Sequence, residues 1–374
     1  MRETGTYQTL ADLRYFIPHP LPPAQPPLAL QGEVISLYGE ASMALGQLNE
    51  MCLKIPNLQR FIKAYVIKEA LLSSAIEGIH TTLIEVFTQP IEGAGKPSKD
   101  TQLVLNYSKA LEIAYQMIVH ENFPLVSRVI LKAHEVLMSD GVGESSSPGQ
   151  FRKQSVRVGE LVPPPALEIP KLMSELEHFM NEPSELPSLI KAGLAHVQFE
   201  TIHPFLDGNG RIGRLLIVLM LSHDGLLKSP ILYPSYYFKK YHSEYYQALD
   251  RVRSHGDFEG WIIYYLKAIR DSAQDAYIRT KEIEALEIHL QNMINSHKRF
   301  LKMKNTAIEV LNFLFGQPIT TISPMCKEIN KSYNAIQNIL NEFVTLGFIT
   351  ERIINKRNKV YYFTSYLSIL EKEF

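Results

Sequence analysis

His203-Pro204-Phe205-Leu206-Asp207-Gly208-Asn209-Gly210-Arg211-Ile212-Gly213-Arg214 is the stretch on which the reading of this chain turns. It joins a helix expected to end near Ile202 to one expected to begin near Gly210. Its composition is that of a phosphate cradle. Gly208, Gly210 and Gly213 let backbone approach a ligand closely. A helix starting here offers unpaired N–H groups and the positive end of its dipole to an anion. Arg211 and Arg214 lie three apart, on one helix face, and can fork onto phosphate oxygens. Asp207 offers a hard oxygen of the kind magnesium takes beside phosphates. His203 has the ordinary pKa best suited to proton transfer near neutrality. A glycine-rich turn with surface charges is the plain alternative, and the five features together in this order argue against it.

Helical spacing continues on both sides. Upstream, helices are expected over Glu168–Asn181 and Ser188–Ile202. Downstream, Leu215 to Leu221 is apolar throughout, which predicts a helix buried nearly all round that fixes the loop. Lys239–Arg253 reads as one helix carrying Tyr245 and Tyr246, and Phe258 to about His297 as a long connecting or dimer-forming helix. Nearer the N-terminus, Glu33–Cys52 has helical spacing. Asn57 can cap a second helix and Gly78 can end it. Ser73 and Glu77, four apart, share one face of that helix. A carboxylate in the last turn opposes the helix dipole, so a basic partner in the fold would explain Glu77, an exposed glutamate being the alternative. A loop with a short strand or helix follows over residues 79–98, then helices at about Lys99–His120 and Leu125–Ser139. Asn106, Tyr107, His134 and His196 read as packing residues. Gly141–Gly149 is a long polar loop, and the alternation at Val156 and Val158 predicts a short hairpin, with Arg157 and Gly159 in it. Residues 1–30 carry Pro18, Pro20, Pro22, Pro23, Pro26 and Pro27 and read as an extended strap over the surface.

The loop closely resembles the HPFxDGNGRxGR signature of Fic-domain proteins, matching each specified position, and Ser73-xxx-Glu77-Gly78 resembles the [ST]xxxE[GN] inhibitory motif of the same family. The resemblance implies an enzyme that moves AMP from ATP to a protein hydroxyl. His203 would be the base and Asp207 the magnesium ligand. Asn209 and the Gly208 and Gly210 amides would hold phosphate oxygens, Arg211 would neutralise leaving pyrophosphate, and an Arg214–Glu77 pair would occupy the clamp for the γ-phosphate. It implies that Tyr245 and Tyr246 pack adenine, although the family's Asn seven residues beyond the second tyrosine is replaced by Arg253. Residues 151–159 resemble the family's flap, which adds an extended strand of target protein to an open edge. Kinase-type relatives depart from the signature near its central glycines. Gly208 and Arg211 keep the AMP-transfer form, with AMP removal or transfer of another phosphate-containing group as alternatives.

Lys304–Phe374 differs in composition. Helices are expected at Thr306–Phe315, Thr321–Lys331 and Ser332–Leu346, then a hairpin over Phe348–Thr364 turning near Asn355–Asn358. Three helices and a two-stranded wing resemble a winged helix. The third helix exposes Asn334, Gln337, Asn338 and Asn341, and the wing carries Arg352, Lys356, Arg357 and Lys359, which suits major-groove contact with backbone clamping. Eight Lys/Arg against six Asp/Glu in this segment suit a protein partner or a dimer equally. A DNA-binding regulator with a nucleotide-sensing domain is therefore a second functional expectation.

The 374 residues allow two or three domains. The division expected is residues 1–98 as an N-terminal region with strap and inhibitory helix, 99–303 as the Fic unit with its long helix, and 304–374 as the winged helix. The fold class is mainly α. The formal net charge of −1 argues against a general nucleic-acid or membrane footprint. The two cysteines, Cys52 and Cys326, lie in apolar surroundings without metal spacing and read as reduced. No signal peptide and no apolar run near the ~18 residues of a spanning helix are evident. A cytoplasmic enzyme acting on target proteins and on itself, using ATP and magnesium, is the reading that results.

Overall fold

The computed structural model describes residues 2–54, 58–89, 91, 95–139, 146–354 and 358–372. It is mostly helical. The chain opens with a hairpin, β1 (Gly5–Leu10) and β2 (Leu13–Pro18), in register from Gly5 opposite Pro18 to Leu10 opposite Leu13. Ala11 and Asp12 form its two-residue turn with φ of 46° and 63°, the conformation that matches the twist of paired strands. This corrects the expected strap over Gly5–Pro18 only; residues 19–31 form no helix or strand and lie at the surface. The prolines begin only at the end of β2, and the β-branched and aromatic residues before them pair, burying Tyr15 and Phe16.

Among the described residues up to 296, eleven α-helices follow: α1 (Glu33–Lys54), α2 (Gln59–Ile76), α3 (Leu83–Thr88), α4 (Lys99–Tyr115), α5 (Ser127–Leu137), α6 (Ile169–Asn181), α7 (Ser188–Ile202), α8 (Asn209–His223), α9 (Ser235–Lys240), α10 (His242–His255) and α11 (Phe258–Ser296). Their starts are chemically marked. Thr82 and Glu85 form a reciprocal capping box on α3, and the side chains of Ser98 and Asp257 cap α4 and α11. Asn57, the expected cap of α2, lies outside the described residues. So do residues 141–145 of the expected polar loop. The single helix expected over Lys239–Arg253 is two helices, α9 and α10, broken at Tyr241, whose φ of −111° and ψ of 49° are not helical. The hairpin expected around Val156 is reduced to one bridge, Val158 with Leu161, in an otherwise extended segment.

Helices α7 and α8 lie at the centre. From Leu189 to Ile202 each residue of α7 is buried, and α8 is buried apart from Gly210 and its last residue. α11, 39 residues and about 58 Å long at 1.5 Å per residue, crosses α7 closely. A side chain at Gly193 would meet the Tyr265 ring at 2.6 Å, and Trp261 Nε1 donates to the Gly193 carbonyl at 2.7 Å. The same helix packs along α1.

Beyond it lie α12 (Lys304–Gly316), β3 (Ile319–Thr320), α13 (Ile322–Ile329), α14 (Tyr333–Thr345), β4 (Thr350–Ile354), β5 (Asn358–Tyr362) and α15 (Thr364–Glu371). The strands form one sheet in the order β3-β5-β4. β3 and α15 went unread in the sequence, and the wing turn with Lys356 and Arg357 lies outside the described residues. Packing is continuous across residue 304. Phe61 of α2 meets the rings of Phe315 and Tyr366 at 5.2 and 6.2 Å. Arg279 of α11 donates at 2.7 Å to the carbonyls of Ile369 and Lys372.

Candidate active site

α7 ends at His203, whose φ of 51° turns the chain out of the helix before Pro204. The imidazole Nδ1 lies 3.3 Å from the Glu200 carbonyl. A carbonyl only accepts, so Nδ1 carries the proton and Nε2 keeps its lone pair. Burial pushes the His203 pKa down to about 4, and nearby Arg152 acts in the same direction. The ring is therefore neutral near pH 7, the form able to accept a proton.

Arg152, 2% exposed, holds this turn in place. Its Nε donates to the His203 carbonyl at 2.8 Å, Nη1 to Gln154 at 2.9 Å and Nη2 to Pro164 at 2.7 Å, while its backbone N–H donates to Pro204 at 2.9 Å. One side chain thus ties the segment 151–165 to the loop. Replacing it with methionine leaves several buried carbonyls unpaired and is expected to lower stability by about 3 kcal/mol, read as a drop in the unfolding midpoint. An unchanged midpoint would show that water replaces the guanidinium without loss.

Two further residues shape the loop. Asn209 closes it on itself: its Oδ1 accepts from the Phe205 N–H at 2.8 Å and its Nδ2 donates to the Phe205 carbonyl at 2.9 Å. The oxygen and one N–H of the side-chain amide are thus held by the loop's own backbone. His134 stacks on Phe205 at 3.7 Å, bonds the Asp207 carbonyl through Nε2 at 3.0 Å, and accepts from the Gly149 N–H. Gly208 has φ 82° and faces Leu137 and Met138, so no larger side chain fits its turn without strain. Asp207 projects outward, its side chain 60% exposed, with Oδ1 accepting from the Gly208 N–H.

Behind Asp207, Arg211 is 2% exposed. Its Nη2 lies 3.4 Å from the Asp207 carboxylate, and its Nε and Nη1 are buried with no hydrogen-bond partner among the described residues. Orphaned guanidinium donors at a helix N-terminus suit an anion. Arg214 is fully buried, and its Nε and Nη2 are both engaged. Nε donates to Ser73 Oγ at 2.8 Å, and Nη2 to the Ser73 carbonyl at 2.9 Å and to Glu77 Oε1 at 2.7 Å. Burial works against both charges, and each overcomes it for the other: the Glu77 carboxyl is held below the usual range and the Arg214 guanidinium above it. Gly210 lies at this contact, since a Cβ there would stand 2.3 Å from Glu77 Oε1. Gly213 instead admits Glu200, whose Oε1 would be 2.3 Å from a Cβ at that position. Its backbone serves the packing of α7 on α8, which corrects its expected approach to phosphate.

Residues 35–116 match a family model described as Fic/DOC family N-terminal, and residues 124–221 match the model described as Fic/DOC family. The chain carries a Fic/DOC domain. It is 30% identical over 195 residues to the protein adenylyltransferase Fic of Drosophila grimshawi, covering 51% of this chain and 38% of that one. The protein of the same name from Culex quinquefasciatus is 28% identical over 210 residues, covering 55% of this chain and 40% of its own. The chain thus matches well under half the length of these curated relatives. A Fic family protein from Desulfovibrio desulfuricans G20 shares the fold with a TM-score of 0.55 at 23% identity, over 90% of this chain and 97% of that one. Fic-1 from C. elegans does so with the same TM-score at 21% identity, over 67% of this chain and 74% of its own.

Around the Fic/DOC domain's loop the remaining candidates divide. Tyr245 is 1% exposed, with Phe238 stacked at 4.8 Å and its hydroxyl bonded at 2.8 Å to His196 Nε2. The other ring nitrogen of His196 bonds the Gly213 carbonyl at 2.8 Å. Tyr245 therefore braces α10 against α7 and α8 and presents no free face to a base, a correction to half of the expected adenine pair. Tyr246 is 39% exposed. Arg253 keeps its Nε buried and unpartnered among the described residues. In the flap segment Val156 and Val158 are half-buried, and Arg157 and Gly159 are exposed. β2 is tied to this segment by Tyr15 Oη and Ser155 Oγ at 2.6 Å and by the Phe16 N–H on the Val162 carbonyl. Sequence reading missed Arg152 and took His134 for packing alone. Both act on backbone groups far along the chain, which leave no spacing signal.

Proposed function

We propose that the protein is an adenylyltransferase that moves AMP from ATP to a Ser, Thr or Tyr hydroxyl of a target protein, and to itself, restrained by Glu77 on Arg214. The observation that carries this reading is the neutral His203 imidazole, its Nε2 lone pair free, beside a loop with unpaired Arg211 donors. In the step proposed, Nε2 takes the hydroxyl proton while the hydroxyl oxygen bonds the α-phosphorus. The bond from that phosphorus to the bridging oxygen of the β-phosphate breaks, and pyrophosphate leaves with the electron pair. Arg211 and the first N–H groups of α8 would stabilise the departing charge. The catalysis would rest on positioning and charge.

Asp207 suits magnesium, because this ion is commonly bound through one or two carboxylates with substrate phosphates supplying further ligands. No group of three His, Cys, Asp or Glu side chains is gathered among the described residues, so Asp207 would hold the ion together with the nucleotide, neutralising phosphate charge. Tyr246, on the accessible side of α10, is the ring proposed to meet adenine, and the edge of the 156–159 segment is where an extended target would dock.

ATP labelled at the α-phosphate tests the reaction. Label is expected on protein from the α position and not from the γ position. Transfer from the γ position alone would identify phosphate transfer instead.

The segment from residue 304 we read as a winged helix. α14 turns Asn334, Asn338 and Asn341 outward, and β4 exposes Arg352. Lys359 is engaged with Glu351 at 3.0 Å, which lowers the free positive charge of the wing and favours a protein partner or a second copy over DNA. No described helix is long and apolar enough to cross a membrane.

A further inference from the structure

Glu69 and Ser73 on α2, and Glu77 at its C-terminus, are spaced four apart and lie along one side of the helix. Ser73 and Glu77 both touch Arg214. Glu69 stands one turn further back, where the proposed reaction has no use for it. It is 0% exposed. Its carboxylate takes three hydrogen bonds from neutral groups. Ser235 Oγ at 2.5 Å and Tyr107 Oη at 3.2 Å donate to Oε1, and the Ser235 N–H donates to Oε2 at 3.2 Å. Burial raises the Glu69 pKa to about 7, against the bonds from Ser235 and the charge of Arg214. A carboxylate in such a place is costly to keep.

Its ionised form can only accept, and this fixes the sense of the bonds beyond it. Tyr107 donates to Glu69, which leaves the phenol oxygen to accept, and the Ser73 hydroxyl is hydrogen-bonded to Tyr107. The Ser73 proton is thereby directed away from Arg214. Its lone pairs are left to Arg214 Nε, which donates at 2.8 Å. A string of bonds thus runs from guanidinium to carboxylate, each strengthening the next. It joins residues of α8, α2, α4 and α9. Arg214 is therefore served by two carboxylates. Glu77 meets it directly at 2.7 Å, with a side chain 33% exposed. Glu69 reaches it through two hydroxyls, from the interior. Between the guanidinium and the loop stands only Gly210, where a Cβ would lie 2.9 Å from Arg214 Nη1.

We propose that Glu69 and Tyr107 are positioning residues which, through Ser73, keep the Arg214 guanidinium aimed and its charge balanced when Glu77 leaves it and a γ-phosphate arrives. The proposal rests on the reading of Arg214 as the clamp for that phosphate.

Calorimetric titration of the full chain carrying Glu77→Gly tests it, at mildly alkaline pH. The probes are α,β-methylene ATP and α,β-methylene ADP, which the enzyme cannot cleave. The ratio of their dissociation constants reads the γ-phosphate contact alone. Tyr107→Phe and Glu69→Gln, each added to Glu77→Gly, should both lower this preference for the triphosphate by roughly fivefold or more, the loss of about one hydrogen bond. The affinity for the diphosphate should change little. Residues that served only the packing of the four helices would weaken both nucleotides together or lower only the unfolding midpoint, and either result would overturn the proposal. So would an unchanged preference in either variant, or a preference raised by Glu69→Gln, which would mark a carboxylate that merely competes with phosphate. Arg214→Ala in the same background separates the two readings. If it abolishes the preference and Tyr107→Phe does not lower it, the clamp stands and the positioning role falls. If Arg214→Ala leaves the preference intact, the clamp reading falls and this proposal with it.

Discussion

AMP transfer by His203→Asn is expected to fall by about 10²–10⁴-fold, the usual contribution of a positioned base, while ATP still binds. Asparagine is the informative replacement because it tolerates the left-handed φ of 51° at this position and cannot accept the proton. Alanine should lose as much activity, with some stability lost to strain at the same φ. The pH profile gives an independent reading. The base acts when unprotonated, and burial lowers its pKa to about 4. Transfer efficiency should therefore rise through about pH 4 and be level from ~6 upward. An unburied imidazole would place the inflection near ~6.5. Near wild-type transfer by the asparagine variant would remove His203 from the mechanism. An inflection near ~6.5 would mean that the ring is solvated during turnover.

Glu77→Gly should act in the opposite direction and raise transfer, self-modification included, by roughly tenfold to a hundredfold. The guanidinium of Arg214 has five donors and one position. In wild type the carboxylate at 2.7 Å takes its outward-facing capacity and stands against Gly210, at the start of α8. Two charges in contact and partly desolvated attract by several kcal/mol at an effective dielectric of ~20. Desolvation and competition from ATP reduce this to a net restraint of about 1–3 kcal/mol, which sets the range of rate. The bonds that Arg214 donates to Ser73 are expected to survive the substitution, so the freed side chain stays aimed. The variant should also melt earlier than wild type without nucleotide, because a buried guanidinium has lost its counter-ion, and should gain more stability from ATP. Arg214→Ala should not be activated, since it loses the restraint and the clamp together. If Glu77→Gly is no faster than wild type, Glu77 is not inhibitory. If it is slower, the carboxylate takes part in chemistry, as in positioning water for AMP removal.

Helix periodicity carried most of the fold because it records burial on one face, and the helix starts expected near Lys99 and Ser332 are kept, capped in the structure by Ser98 and Ser332. The parts that escaped have physical causes in common. The hairpin of β1 and β2 shows no clean alternation, its first strand being almost wholly exposed, and the prolines that follow dominated the local pattern. Tyr241 breaks a helix without Gly or Pro to announce it. At the site, residue types indicated which groups could meet phosphate, but not which were already occupied. Asn209 and Gly213 have the right chemistry and are engaged by Phe205 and by Glu200. Tyr245 has the right ring and is enclosed. Occupancy depends on partners tens of residues away, which no local window contains.

The ring that Asn209 closes on Phe205 gives the loop a clock. A five-residue loop pinned by both backbone groups of one residue cannot open without breaking both bonds. Deuterium should therefore enter the Phe205 amide slowly, at a rate set by opening of the α7–α8 core. Nucleotide is expected to leave that rate nearly unchanged, because both bonds are internal to the loop. The amides of the 156–159 segment, beyond their single bridge, should exchange early and slow only when a target strand is present. Recognition of the nucleotide and recognition of the target would then appear on two separate timescales in one exchange experiment.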